Sequence, residues 1–194
     1  MKKYIRLTIY FILFAILIGA FIYLGKEDFN DTTKQSDNVR FAEEYSISKD
    51  NPFVYSYGSE IVDIIKNDSG IIYLGFSSNE WCKYYVKYLY DVLKENDIEK
   101  VYYYDIIKDR TKNTKYYREL EELLSDYLYK LDNGNIHVLT PALIFVKNGK
   151  IIYFDDETSI ERNNITPDYY WTNEKVDIFK NKINVYINEV DVYE

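Results

Sequence analysis

Six residues at 71–76, IIYLGF, restrict the fold of this 194-residue chain more than any other stretch. The run has strand length, is nearly all apolar, and lacks the alternation of a strand wetted on one face. It therefore predicts a central strand covered on both sides. A sheet so covered needs helices on each face, and the flanking patterns supply them. Before the run, 59–66 carries Ile61, Ile64 and Ile65 on one helical face, and Asn67-Asp68-Ser69-Gly70 makes the turn between. After it, Cys82, Tyr85, Val86, Leu89 and Leu93 recur at helical spacing to about residue 96, forming a single buried stripe.

The remaining patterns complete a sheet. Pro52-Phe53-Val54-Tyr55 reads as a short strand, and 98–106, which contains VYYYDI, as a second interior one. Residues 114–131 return to helical period through Tyr117, Leu120, Leu124, Leu128 and Leu131 before Asp132-Asn133-Gly134-Asn135 breaks it. HVLTPALIFVKNGKIIYF, 137–154, predicts a strand, an Asn148-Gly149 hairpin turn and an antiparallel return. A loop rich in acids, Asn and Pro at 155–171 leads to a closing helix over 173–188, with Val176, Phe179, Ile183 and Ile187 on one side and Thr172 or Asn173 as its cap. Strands joined through helices become parallel neighbours while the hairpin adds antiparallel ones, so the fold class is α/β with a mixed sheet. With 23 tyrosines in the chain, much of the core must come from rings whose hydroxyls need polar neighbours.

Residues 7–25, LTIYFILFAILIGAFIYLG, carry no charge and as a helix would span roughly 28 Å, about one bilayer core. Lys2, Lys3 and Arg6 precede this run while Lys26, Glu27 and Asp28 follow it. The positive-inside bias places 1–6 in the cytoplasm and the main domain outside the membrane. The run is long for a cleaved signal and no small-x-small site follows, so an uncleaved single-pass anchor is expected, with a cleaved signal as the alternative. Residues 26–50 are polar without a sustained apolar period and predict a flexible linker, along which Phe41 and Tyr45 are candidates to dock on a domain at 51–190. Either way the domain is expected where a disulfide could persist. A net charge of -8, a pI near 4.8 and no basic stripe exclude a nucleic-acid partner.

Where the strand at 71–76 gives way to the next helix stands GFSSNEWC, 75–82, ending at the chain's one cysteine. The run GFSSNEWCKYYVKYL resembles, without gaps, the Gly-x-x-x-Cys-Pro-Trp-Cys segment and following helix of small bacterial thioredoxin-like proteins that are exported and held at the membrane, some described as bacteriocin-transport accessory proteins. DIIKDRTKNT at 105–114, TPALIFVKNGKI at 140–151, DDETS at 155–159 and TPDYYWTNEKV at 166–176 also match, so the resemblance covers roughly 53–188. It implies a thioredoxin-like sandwich. It sets Asn79 in the place of the attacking cysteine, Glu80 where proline is common, and Lys87 where the helix often carries a further proline. Thr140-Pro141 falls on the cis-proline loop that faces the redox site, where the preceding residue pairs with an extended substrate. A second register, needing a one-residue insertion, makes Trp81-Cys82 the start of Trp-Cys-x-x-Cys with Tyr85 in the second place.

A thiol at a helix N-terminus is held as thiolate by the unpaired N–H groups and the macrodipole. Asn79 suits the same position as a cap, at a benefit of about 1 kcal/mol, but cannot attack. Glu80 also suits the dipole while opposing a second anion beside it. Cys82 opens the buried stripe and reads as a small core hydrophobe; the alternative is a single reactive thiol forming a mixed disulfide with a partner. The expected function is thus a redox-silent accessory module that binds an exported peptide or protein through the face of Trp81, Thr140 and Pro141, the alternative being a monothiol oxidoreductase using Cys82. His137 reads as an ordinary strand or loop residue. One cysteine and one histidine are too few for a zinc or haem site, and no cofactor is expected. Asp155, Asp156 and Glu157 match no calcium loop and read as a solvated turn.

Overall fold

The computed structural model describes residues 35–130, 136–156 and 165–190. The expected membrane span at 7–25, the first part of the expected linker, the break at 132–135 and Glu157 lie outside them. Among the described residues no helix is long and apolar enough to cross a membrane. In chain order the elements are α1 (Asp37–Tyr45), β1 (Phe53–Tyr55), α2 (Gly58–Asn67), β2 (Gly70–Gly75), α3 (Glu80–Glu95), β3 (Val101–Asp105), α4 (Ile107–Lys112), α5 (Lys115–Leu123), β4 (Ala142–Lys147), β5 (Lys150–Asp155), α6 (Pro167–Tyr170) and α7 (Asn173–Val190). The five strands form one sheet in the order β1-β3-β2-β4-β5. β1, β3 and β2 run parallel, while β4 is antiparallel to β2 and β5 to β4. The chain is therefore α/β, with a mixed sheet flanked by helices.

All six residues of β2 are buried, because its two faces feed two different layers. Ile71 and Tyr73 join Val101, Tyr103, Leu143 and Phe145 against α1, α3 and α7. Ile72 and Leu74 join Tyr104, Ile144 and Val146 against α2 and α5. The second layer is largely aliphatic. The first is aromatic: the Tyr73 ring stacks between those of Tyr85 and Tyr103, with centroids 5.9 and 5.8 Å away. Buried phenols need hydrogen-bond partners. Tyr73 Oη donates to the Cys82 carbonyl at 3.4 Å, Tyr45 Oη to Tyr103 Oη at 3.1 Å, and Tyr85 Oη to Asp155 Oδ2 at 2.8 Å.

The flexible linker expected through residue 50 gives way to α1, and the compact unit begins at Ser36. α1 is only nine residues long and buries Phe41, Ala42 and Tyr45, too few apolar positions to leave a sustained period. Phe41 holds it down, stacking on Phe53 at 4.0 Å and meeting Tyr103 edge-on at 4.8 Å. α1 and the loop after it also close the edge of β1. Tyr55 N–H donates to Asp37 Oδ2 at 3.0 Å, and Phe53 N–H to Asn51 Oδ1 at 3.2 Å. Further on, the helix expected at 114–131 ends at Leu123, though Leu124 and Leu128 stay buried in turns that keep the apolar stripe on the sheet. The short α4 precedes it as a separate element, ended by Asn113 at φ 46°.

The Asn148-Gly149 hairpin turn has φ of 50° and 70°, the left-handed region where glycine carries no penalty. It is pinned to the α2–β2 corner, Asn148 N–H donating to Ser69 Oγ at 2.9 Å and Gly149 N–H to the Asp68 carbonyl at 2.8 Å. A Cβ on Gly149 would stand 2.2 Å from the Lys66 carbonyl oxygen. Gly149→Ala should therefore lower the unfolding free energy by about 2 kcal/mol in a urea titration, with the m-value unchanged.

Candidate functional site

The candidate site forms where β2 ends and α3 begins. Gly75 is required there by its neighbour: a Cβ at this position would lie 2.6 Å from Tyr73 Oη. The phenol occupies that space on its way to the Cys82 carbonyl, so strand and helix are joined across the turn by a single buried ring. The turn itself is closed by Asn79 N–H donating to the Phe76 carbonyl at 3.1 Å.

Asn79 caps α3. Its Oδ1 accepts from Trp81 N–H at 3.0 Å, satisfying one of the helix's first donors. Its Nδ2 donates to the Thr140 carbonyl at 3.3 Å. One amide side chain thus ties the start of the helix to the loop before β4. In that loop the Thr140–Pro141 peptide bond is cis and both residues are buried. Glu80 follows the cap, exposed in the first turn. The structure therefore brings Asn79, Thr140 and Pro141 together, with Trp81 and Cys82 behind them on α3.

Cys82 is fully buried, packed in the aromatic layer between sheet and helices. A thiol acts as nucleophile only as the exposed or reachable thiolate, and this one, in the first turn of the helix, is shut off from solvent. Trp81 is also largely covered, being 9% exposed. Its ring lies 5.4 Å from that of Tyr170, and Trp171 packs against Tyr88 and Tyr85 at 5.0 and 6.4 Å. α6 and the start of α7 thus roof the site helix. Within the stretch read as a loop at 155–171, Pro167 opens a helical turn and Tyr170 and Trp171 bury their rings. The freely accessible ring at this corner is Tyr169, 79% exposed.

Asp155 and Asp156 are not a solvated turn. They are 5% and 7% exposed, at the end of β5, where Asp155 meets both α3 and α7. Asp155 Oδ1 accepts from Lys182 Nζ at 2.9 Å and its Oδ2 from Tyr85. Asp156 Oδ2 is buried without a hydrogen-bond partner, and burial, followed by the neighbouring Asp155, pushes its carboxyl up to about 6. His137 stands apart from the site. It is exposed, with Nδ1 2.9 Å from Glu121 Oε1 on α5. Among the described residues no group of three His, Cys, Asp or Glu side chains could hold a metal ion.

The sequence pointed to Asn79, Glu80, Trp81, Cys82, Thr140 and Pro141, and all six lie at one corner. It gave no weight to Tyr73 and Tyr170, although a tyrosine two residues before a glycine at a strand end is the visible trace of the first. Cys82 in the native chain is expected to react with iodoacetamide at least about a hundredfold more slowly than in 6 M guanidinium, where burial is lost; equal rates in the two states would mean the thiol is reachable. No protein-family model, curated protein or solved structure matches this chain.

Proposed function

We propose that this chain is a thioredoxin-like module that no longer exchanges disulfides, held outside the membrane by an uncleaved N-terminal helix, where it binds an exported peptide or protein as an accessory. The observation that carries this reading is the state of the helix cap. The position from which a thiolate would attack holds an amide engaged at both ends, by Trp81 N–H and by the Thr140 carbonyl. The chain's single thiol, that of Cys82, lies behind it without solvent access. Attack on a disulfide needs a thiolate that can approach the sulfur in line, and neither residue supplies one.

Strand order supports the thioredoxin-like assignment: three parallel strands, then an antiparallel pair entered through a cis X-Pro bond beside the β2–α3 junction. The uncharged run at 7–25 supports the anchor, and the charge asymmetry around it supports an extracytoplasmic domain. The binding face differs in detail from the one expected. Trp81, Thr140 and Pro141 form its buried floor, and the surface offered to a partner consists of Ser78, Glu80 and Tyr169. A partner strand that pairs with the Thr140 carbonyl must first displace the Asn79 amide.

Two measurements test this. In an insulin-reduction assay with dithiothreitol, the chain should give the uncatalysed rate, unchanged by Cys82→Ser; activity lost with that substitution would establish a monothiol enzyme instead. Asn79→Cys should restore a pair three residues apart in the first turn of α3, closing to an intramolecular disulfide with Cys82 under mild oxidation. Failure to close in the folded variant would remove the alignment on which the assignment rests.

A further inference from the structure

We infer that the Asp155–Asp156 corner is a proton-operated latch on the helix layer that covers the site: with Asp156 neutral, the end of β5 holds α3 and α7 together, and loss of its proton releases them. The inference concerns α7 and stands whether or not the site binds a peptide.

The latch is built from one carboxylate serving two helices. Asp155 accepts from Tyr85 Oη of α3 and from Lys182 Nζ of α7, fastening both to the last strand of the sheet. Phe179 of α7 packs edge-on against the Tyr85 ring at 4.8 Å, and Trp171 lies 5.2 Å from Phe179. The grip on Tyr85 and Lys182 is therefore also a grip on the aromatic roof of the site helix. The titratable groups facing the corner, among the described residues, are Asp155 on β5, Tyr85 on α3, and Lys182 and Tyr186 on α7.

Charge decides which state is held. Lys182 balances one carboxylate. Lys182 Nζ bonds Asp155 and not Asp156, whose buried Oδ2 has no hydrogen-bond donor among the described residues. Burial of an unpaired charge is costly enough that the group keeps its proton or leaves the interior. Tyr85 is held neutral, by complete burial first and by Asp155 second.

The sign follows from the two states. Released into water, Asp156 titrates near 3.8; in the closed corner it titrates at about 6. The closed form therefore holds the proton more tightly. Its advantage is complete below about pH 4, declines as pH rises towards 6, and stays at its lower level above. Between pH 5 and 8 the opening equilibrium should rise by about tenfold.

Native hydrogen exchange on the full chain in detergent micelles, corrected for the intrinsic pH dependence of exchange, reads this directly. Amides of α7 around Phe179 and Lys182 should open about tenfold more at pH 8 than at pH 5, while those of α2, on the opposite face of the sheet, change little. Asp156→Asn, which keeps the shape and removes the charge, should flatten the α7 response. An α7 response no larger than that of α2 in the unmodified chain would overturn the latch even if the variant failed to fold. So would an Asp156→Asn variant that kept the tenfold rise.

Discussion

The structure depends on satisfying phenols away from water. Tyr45, Tyr73, Tyr85 and Tyr103 are all buried on one face of the sheet, and each hydroxyl left without a partner would cost about 1–3 kcal/mol. The solutions found for them determine the layout of that face. Tyr103 meets Tyr45, which fastens α1; Tyr85 meets Asp155, which draws an acid into the interior; Tyr73 meets the Cys82 carbonyl, which fixes the start of α3 against the end of β2. Rings at 5.8–5.9 Å then stack into a continuous row across the core. The opposite face is built mainly of Ile and Leu and carries fewer hydroxyls, Tyr104 Oη donating to Asp109 Oδ2 at 2.6 Å.

The same requirement shapes the site. A helix start has donors to spare, and a site for thiol chemistry leaves them pointing at a sulfur. Here Asn79 takes one of them and spends its remaining donor on Thr140. The result is a better-capped helix and a closed seam between two loops. Chemical reactivity and local stability draw on the same unpaired N–H groups at this position, so a residue that serves one does so at the expense of the other. The buried Cys82 follows from the same geometry: three residues into the helix, its side chain enters the aromatic layer.

Much of this was legible in the chain. The strand at 71–76 announces burial on both faces by its lack of alternation, and the Asn148-Gly149 turn announces the hairpin. Both signals are local, and strands and hairpin formed where they indicated. What stayed hidden depends on partners distant in sequence. α1 contributes only Phe41, Ala42 and Tyr45 to the core, so its apolar pattern is too brief to be distinguished from a tether. Asp155 and Asp156 look like surface because a carboxylate is usually solvated; that Tyr85 and Lys182 would meet Asp155 is decided by a strand and two helices converging. Trp81 could be read as either exposed or packed, and Tyr170, nearly ninety residues later, settles it. The position of the candidate site could be read, then, but not how covered it would be.

The edge of β1 has a consequence for how copies of this protein meet. A bare strand edge is a template on which another chain can add its own strand. On this side of the sheet the outward donors of Phe53 and Tyr55 are already taken by the side chains of Asn51 and Asp37. Neighbouring molecules crowded together therefore find no free N–H on these two residues, which blunts this flank as a starting point for the sheet-to-sheet adhesion that begins fibrils.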